Sequence, residues 1–112
     1  MATRSFIGKV QQDGSVHGIY CHFDGYPEGV GAVLKKHYMA TSDVDALLAL
    51  GDLSELHPTL EKTVAYHRDR GEDLMPNFTY LGVDDLVEGV REDIGAEYVY
   101  LYTGGKWATY NV

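Results

Sequence analysis

The sequence predicts an α+β fold: an antiparallel sheet built from an N-terminal and a C-terminal hairpin, with about three helices packed on one face. Strand patterns occur in pairs at both ends of the chain, and helical patterns occupy the middle. Strands and helices that are segregated in this way are typical of α+β proteins rather than of alternating α/β proteins. The 112 residues match one domain, 1–112, and no linker or internal repeat divides them.

The N-terminal hairpin is predicted from two strand patterns, at 4–11 and 15–23. Asp13-Gly14 lies between them and indicates a two-residue type I′ turn, which needs positive φ at both positions. Apolar residues occur at both odd and even positions of the second strand. Because alternate residues point to opposite faces, we expect both faces to be at least partly covered.

Two helices are predicted next. Pro27 suits the first turn of a helix, and a stripe at helical spacing follows it. The second helix begins near the cap region 41–43, and Gly51 ends it. The segment 52–56 resembles one more helical turn. The stripe of the first helix comprises Val30, Val33, Leu34, His37 and Tyr38.

The remaining elements are less regular until the C-terminal third. A short strand is expected at 63–67, a charged turn at 68–73 and another strand at 78–81. A third helix, capped by Asp84 or Asp85 and ended by Gly95, would bury one face against the sheet. Strands at 97–102 and 107–111 form the last hairpin. The core face of the third helix comprises Leu86, Val87, Val90 and Ile94.

Composition limits the classes of function. The net charge is −8 and the pI is about 4.9, which disfavours direct nucleic-acid binding. No apolar run is long enough to cross a membrane, and a single cysteine, Cys21, cannot form an internal disulfide. We therefore expect a cytoplasmic protein. No nucleophile elbow, zinc-protease helix, P-loop or dinucleotide-binding motif is present, so no cofactor and no catalytic residue is predicted.

The negative charge is concentrated in the middle of the chain. Residues 43–97 carry a net charge of −10, whereas 1–42 and 98–112 each carry +1. Such a region is either a solvated helical face or a surface that steers towards a basic protein. The candidate partner-binding residues are Asp43, Asp45, Asp84, Asp85, Glu88, Glu92 and Asp93.

Two polar segments each contain His-x-Asp and support a different hypothesis, a small-ligand or metal site, which leaves open the alternative that the protein is an enzyme. His22 and Asp24 in one segment and His67 and Asp69 in the other are acceptable ligands for Zn²⁺ or Fe²⁺ if the two segments meet. A structural hydrogen bond and a turn are the alternative explanation. Cys21 shares a strand face with apolar residues, which suits an inert thiol. The candidate ligand-binding residues are Tyr20, His22, Asp24, Tyr26, His67, Arg68 and Arg70.

Arginines and tyrosines leave further alternatives open. Arg68 and Arg70 suit an anion, or they pair with nearby carboxylates. Tyr98, Tyr100 and Tyr102 share one face of a strand. They either pair with aromatic residues across the sheet, or they form an exposed patch through which the chain is a homodimer.

A family resemblance is carried by the block YCHFDGYPEGVG at 20–31, by LKKHY at 34–38, by GDL at 51–53 and by YHRDRGE at 66–72. These segments resemble a family of small, mostly uncharacterised bacteriophage and prophage proteins. The resemblance covers about 6–72, with a looser match at the C-terminal hairpin. It implies a phage-type accessory protein in the cytoplasm of a bacterial host cell, and it assigns no catalytic residues to this chain. By analogy with small acidic phage proteins, we expect a non-enzymatic protein that binds and modulates or inhibits a host protein with a basic surface, for example a defence protein.

Overall fold

A computed structural model describes residues 2–112. Seven strands form one sheet, and four α-helices surround it. None of these helices is long and apolar enough to span a membrane. In chain order the elements are β1 (Ser5–Val10), β2 (Val16–Cys21), a π-helical turn (Pro27–Gly31), α1 (Ala32–His37), α2 (Thr41–Ala49), β3 (Leu53–Glu55), β4 (Val64–Ala65), α3 (Tyr66–Arg70), β5 (Phe78–Tyr80), α4 (Val83–Ile94), β6 (Tyr98–Thr103) and β7 (Lys106–Asn111).

The α+β class is confirmed, and both terminal hairpins are present. The strand order is β4-β3-β2-β1-β6-β7, and β5 pairs with β2. The two hairpins join through β1 and β6, which run parallel, and β2 and β3 are parallel too. The sheet is therefore mixed rather than antiparallel throughout. Parallel neighbours need a crossover connection, and here helices provide it.

The helices lie on both faces of the sheet, so the expectation of a single covered face is wrong. Ile7, Ile19 and Tyr100 point to the face covered by α1 and α2. Phe6 and Val99 point to the opposite face, which α4 covers. The central strands carry apolar side chains on both faces, so both faces need to be buried.

The turn of the first hairpin also differs from the prediction. Gly14 has a φ of 89°, but Asp13 is not in the left-handed region, so the turn is not type I′. The amide of Gly14 donates to Gln11 O, and the amide of Gln11 donates to Ser15 O. This is the longer loop in which a single left-handed glycine follows a turn. In the second hairpin, Gly104 and Gly105 both have positive φ and form the two-residue turn.

Several element boundaries need correction. The helix predicted from Pro27 starts with a π turn, and its stripe leaves His37 exposed. The segment 52–56 is mainly strand β3 rather than a helical turn. The strand predicted at 63–67 is limited to Val64–Ala65, and the charged turn predicted at 68–73 begins inside helix α3, Tyr66–Arg70. Gly82, not Asp84 or Asp85, caps α4, and Val87 is exposed rather than part of the core face. Gly95 ends α4 as predicted.

The tyrosine stripe is buried by the chain itself. Tyr100 and Tyr102 are 0% and 3% exposed under α1 and α2, and Tyr98 is half-buried. The ring of Tyr102 packs on Trp107 across the hairpin, with centroids 5.2 Å apart. The cross-strand interpretation is therefore the one that the structure shows. Within residues 2–112, these three tyrosines do not form an exposed patch, and the homodimer itself stays a prediction.

Candidate functional site

The two His-x-Asp segments lie on either side of β3. Cys21 pairs with Leu53, and Leu53 pairs with Ala65, so the ends of β2 and β4 meet across this short strand. Ser54 connects the segments: its carbonyl accepts the amide of Phe23, and its hydroxyl accepts a hydrogen bond from Arg70 at 3.3 Å. The structure thus brings the segments close together, as the ligand-site hypothesis requires.

The first segment has its own internal contacts. The phenol oxygen of Tyr20 and Nδ1 of His22 are 2.5 Å apart, and burial raises the pKa of Tyr20. Asp24 is exposed, has a φ of 58°, and accepts a hydrogen bond from the Tyr26 phenol at 3.1 Å. Because β2 ends at Cys21 and the chain turns at Asp24, the strand geometry that would place His22 and Asp24 on one face is lost.

The second segment is held by an ion pair within α3. The guanidinium of Arg68 donates to both carboxylate oxygens of Asp69, at 3.0 and 2.9 Å, which lowers the pKa of Asp69. Asp69 also accepts the amide of Ala65 at 2.8 Å. Internal pairing therefore accounts for Arg68. Arg70 has a different role, because its guanidinium lies 5.2 Å from the centroid of the Tyr66 ring.

The metal hypothesis gains no geometric support. Among residues 2–112, no group of three His, Cys, Asp or Glu side chains is placed to hold a metal ion. His67 Nδ1 lies 2.7 Å from the carbonyl oxygen of Glu72, and His22 faces Tyr20. The four proposed ligands thus each have a different hydrogen-bond partner: Tyr20, Tyr26, Glu72 and Arg68.

A small cavity lies beside α3, and sequence interpretation missed most of its residues. Asp52 is half-buried there and accepts the backbone amide of Tyr20 at 3.1 Å. Burial raises the pKa of Asp52. Nothing in the sequence indicated this, because Asp52 fell in an expected helical turn. The cavity has a volume of about 80 Å³ and is lined by Asp52, Tyr66, His67, Glu72, Asp73, Leu74 and Met75.

Asp52 provides a pH-dependent prediction. A raised folded-state pKa means that the protonated carboxyl favours the folded state fully below the usual value of 3.8, and that this benefit is lost as pH rises through the folded pKa. Asp52→Asn keeps an acceptor for the Tyr20 amide and cannot ionise. We therefore expect it to raise the free energy of unfolding at pH 7, with a gain that shrinks towards pH 3.8. Urea unfolding across this range measures the difference.

Asp52→Ala is the control for the hydrogen bond. It removes the acceptor and, like Asp52→Asn, it cannot ionise, so it should be less stable than Asp52→Asn by about 1 kcal/mol at every pH. An Asp52→Asn variant that is less stable than wild type at pH 7 would contradict the assigned cost of burying this carboxylate.

The predicted acidic surface is divided between two faces of the molecule. Asp43 and Asp45 lie on α2, and Asp45 forms a 2.9 Å ion pair with Lys9. The other five carboxylates lie on α4, which covers the opposite face. The seven residues therefore do not form one continuous surface. All five on α4 are exposed: Asp84, Asp85, Glu88, Glu92 and Asp93.

The carboxylates of α4 form a ridge with few internal partners. Asp84, Glu88 and Glu92 are spaced by four residues, so they are neighbours on one side of the helix. Within residues 2–112, neither ion pair involves a carboxylate of α4. Asp93 accepts a hydrogen bond from the Tyr80 phenol at 2.8 Å, and Arg91 donates to the carbonyl oxygen of Val112. Like charges at this spacing repel one another unless a basic partner compensates them.

Two exposed apolar residues flank this ridge. Leu81, just before α4, is 87% exposed, and Val87 within α4 is 37% exposed. An acidic ridge beside exposed aliphatic side chains combines charge steering with apolar contact area. We call Leu81, Asp84, Asp85, Val87, Glu88 and Glu92 the α4 surface.

Nucleophilic chemistry at Cys21 is disfavoured by its surroundings. The side chain is fully buried, and its S–H donates to the carbonyl oxygen of Phe23 at 3.7 Å. Burial raises the pKa of Cys21 to about 12, so the thiolate that attacks substrates is not formed at neutral pH. Cys21 packs as part of the core, as its strand position predicted.

Comparison of the chain with protein-family models, with curated proteins and with solved structures gives no match. Function is therefore inferred from the geometry of the α4 surface and of the cavity at Asp52. The resemblance to phage proteins stays a prediction.

Proposed function

We propose that the chain is a phage-type accessory protein that binds a host protein with a basic surface through the α4 surface. The observation that carries this proposal is the exposed ridge of Asp84, Glu88 and Glu92, which has no cationic partner among residues 2–112. Binding a basic protein would relieve the repulsion within the ridge and neutralise its charge. Modulation or inhibition of that protein follows if the ridge covers its functional basic site.

Apolar contacts supply what charge alone does not. Rim charges mainly speed association and set specificity, whereas buried apolar side chains account for most of the affinity. Leu81 and Val87 are placed to be those anchors. The partner is therefore a protein in which lysine or arginine side chains surround an apolar depression.

Asp43 and Asp45 are excluded from this surface. They lie on α2, across the sheet from α4, and Asp45 already has Lys9 as a partner. A single partner of ordinary interface size does not contact both faces. The proposed interface is thus narrower than the seven residues that the sequence indicated.

The experiment is capture of host proteins from a bacterial lysate at low salt, followed by titration of the captured partner. The test variant combines Asp84→Asn, Asp85→Asn and Glu88→Gln. We expect the dissociation constant to rise roughly 10- to 100-fold at low salt and its salt dependence to become flatter, because three steering charges are lost.

A charge-matched control combines Asp43→Asn, Asp45→Asn and Glu61→Gln, three exposed residues outside α4. This control should leave affinity within about threefold of wild type, because it removes the same number of negative charges without altering the ridge. Equal affinity of the α4 variant and wild type would refute the proposal. Equal weakening by both variants would show that only net charge matters.

The second candidate function is binding of a small cationic ligand in the cavity at Asp52. A half-buried carboxylate with a raised pKa in a cavity is a recognised mark of a ligand site. Tyr66, Glu72 and Asp73 line the same cavity, so two further carboxylates face a bound cation. Native mass spectrometry of untagged protein from a lysate, with metal analysis, tests it: a retained small amine supports it, and bare protein favours the α4 surface.

A further inference from the structure

Strand β7 is the long free edge of the sheet. The strand order places β4 at one end and β7 at the other. Strand β4 has two residues, whereas β7 has six, Lys106–Asn111. Its pairing with β6 is regular over all six residues, without a bulge. An edge of this length presents a row of backbone groups that another strand can bind.

The backbone groups that point outwards can be identified from the turn. Gly104 and Gly105 form a two-residue loop, so Thr103 and Lys106 are the first hydrogen-bonded pair. Hydrogen bonding then alternates along β7, and every second residue directs its N–H and C=O away from β6. Within residues 2–112, no turn, cap or side-chain hydrogen bond reaches these groups. The outward residues are Trp107, Thr109 and Asn111.

The usual protections of an edge strand are weak here. Proline, a central charge or a bulge normally blocks edge pairing. Strand β7 has no proline, and its only charged residue is Lys106 at its first position. The segment 98–112 contains no aspartate or glutamate, in a chain whose net charge is −8. Strand β7 therefore brings no negative side chains of its own against a second copy.

We propose that β7 pairs antiparallel with β7 of a second copy, about a two-fold axis at Ala108. A two-fold axis perpendicular to the sheet keeps residues of one face opposite each other. Ala108 then faces Ala108, and Trp107 faces Thr109 of the second copy. Both Trp107 and Thr109 are outward residues, so each such pair can exchange two backbone hydrogen bonds.

Side-chain chemistry fits the same register. Lys106 lies opposite Tyr110 of the second copy, so the two lysines are kept apart and no like charges face each other. The small methyl groups at the axis allow the strands to approach without a clash. A second copy is therefore the occupant that this strand fits. The dimer is independent of the α4 surface, although it would place both α4 helices on one side of a continuous sheet.

Sedimentation velocity over a range of protein concentrations is the first test. We expect reversible association to a mass twice the 12.4 kDa of the chain. Association should strengthen as salt rises, since salt screens repulsion between two chains of charge −8. A protein that stays monomeric at every concentration up to about 1 mM would overturn the proposal. Its dimer dissociation constant would then exceed about 1 mM, which is very weak even for a transient pair.

Charge placed on the axis tests the register. Ala108 is exposed, so Ala108→Lys and Ala108→Glu should fold normally. Each variant alone puts like charges directly opposite, and we expect its dimer to dissociate with a constant at least about fivefold higher. A mixture of the two variants should restore a mixed dimer with opposite charges at the axis. Dimers of Ala108→Lys as tight as wild type would contradict this register.

Thr109→Pro tests the backbone itself. The amide of Thr109 points away from β6, so proline removes no hydrogen bond within the chain and is tolerated on an edge. It removes two intermolecular donors per dimer, and we expect the dissociation constant to rise at least about tenfold. Thr109→Val keeps the backbone donor and should dimerise as wild type. Unchanged urea midpoints show that both variants are folded; a folded Thr109→Pro dimer of wild-type affinity would overturn the proposal.

Discussion

Replacing Tyr100 with alanine should lower the free energy of unfolding by about 4 kcal/mol, which is the loss typical of truncating a large buried aromatic side chain. Tyr100 is 0% exposed and is the largest fully buried side chain of the core. It belongs to the cluster between the sheet and helices α1 and α2. Since a domain of this size is stable by about 5–15 kcal/mol, this single change removes a large share of the total.

The ring of Tyr100 also packs closely against the π turn at Gly31. A Cβ on Gly31 would lie 2.9 Å from a ring carbon of Tyr100, so only glycine allows this close approach. The phenol donates a hydrogen bond to the carbonyl oxygen of Gly25 at 2.7 Å. Burial raises the pKa of Tyr100, so the phenol keeps its proton. Tyr100 therefore fixes the corner that contains Asp24 and Tyr26.

Tyr100→Phe separates the hydrogen bond from the packing. It keeps the ring and leaves the Gly25 carbonyl without this donor, so we expect a loss of about 1–2 kcal/mol. Urea unfolding measures both variants, and hydrogen exchange at the Gly25 amide, which donates to Thr3 O, reports on the corner. A Tyr100→Ala loss below that of Tyr100→Phe would mean that the ring is not a packing element.

Local chemistry made part of the fold predictable. The glycines at 104–105 and Gly95 occupy positions that need positive φ, and they end elements where the sequence indicated. The terminal hairpins were found for the same reason, because adjacent strands and their turn are close in sequence. Features set by neighbouring residues are the ones that sequence patterns describe.

The pairing of strands that are distant in sequence could not be predicted from local patterns. The parallel pairing of β1 with β6 joins residues about ninety positions apart, and no local pattern specifies it. Residues of both parities in β6 are apolar, which is compatible with helices on either face. Strand β3 was mistaken for a helical turn because three residues are too few to show a period.

The candidate site was also predictable only in part from the sequence. Both His-x-Asp segments were identified by composition, and they do lie near each other across β3. Their partners were not predictable: Arg68 binds Asp69, whereas Arg70 reaches Ser54 and the Tyr66 ring. The α4 carboxylates were identified as acidic and exposed, but their separation from Asp43 and Asp45 depends on which face each helix covers.

The first hairpin contains a pair of facing glycines that make room for an aromatic ring. Gly8 and Gly18 are directly opposite in β1 and β2. The Phe6 ring lies over both, since a Cβ at either position would come within 2.5 Å of a Phe6 ring carbon. Phe6 in turn packs edge-on against Tyr80 beneath α4, with centroids 5.9 Å apart. The notch formed by the two glycines therefore sets how closely α4 approaches the sheet.

Gly18→Ala should destabilise the protein by about 3 kcal/mol through overpacking. Its Cβ would lie 2.4 Å from the carbonyl oxygen of Ile7, a backbone atom of the neighbouring strand that no rotamer change can move. Relief requires both separating β1 from β2 and displacing the Phe6 ring. Because β2 also leads into the polar segment at 20–26, the variant should expose that segment to faster hydrogen exchange.

Gly89→Ala is the matched control, and it is expected to raise the free energy of unfolding rather than lower it. Gly89 lies in the middle of α4, where a Cβ meets only the carboxylate of Asp93 at 3.3 Å, the end of an exposed side chain that can shift. Alanine favours the helix over glycine by about 1 kcal/mol, so this variant should be more stable than wild type. Urea unfolding midpoints of the two variants and wild type, measured side by side, show whether each variant is less or more stable than wild type. If Gly18→Ala were as stable as wild type, the Phe6 ring would not be held in the glycine notch, and the packing of α4 on the sheet would need another cause.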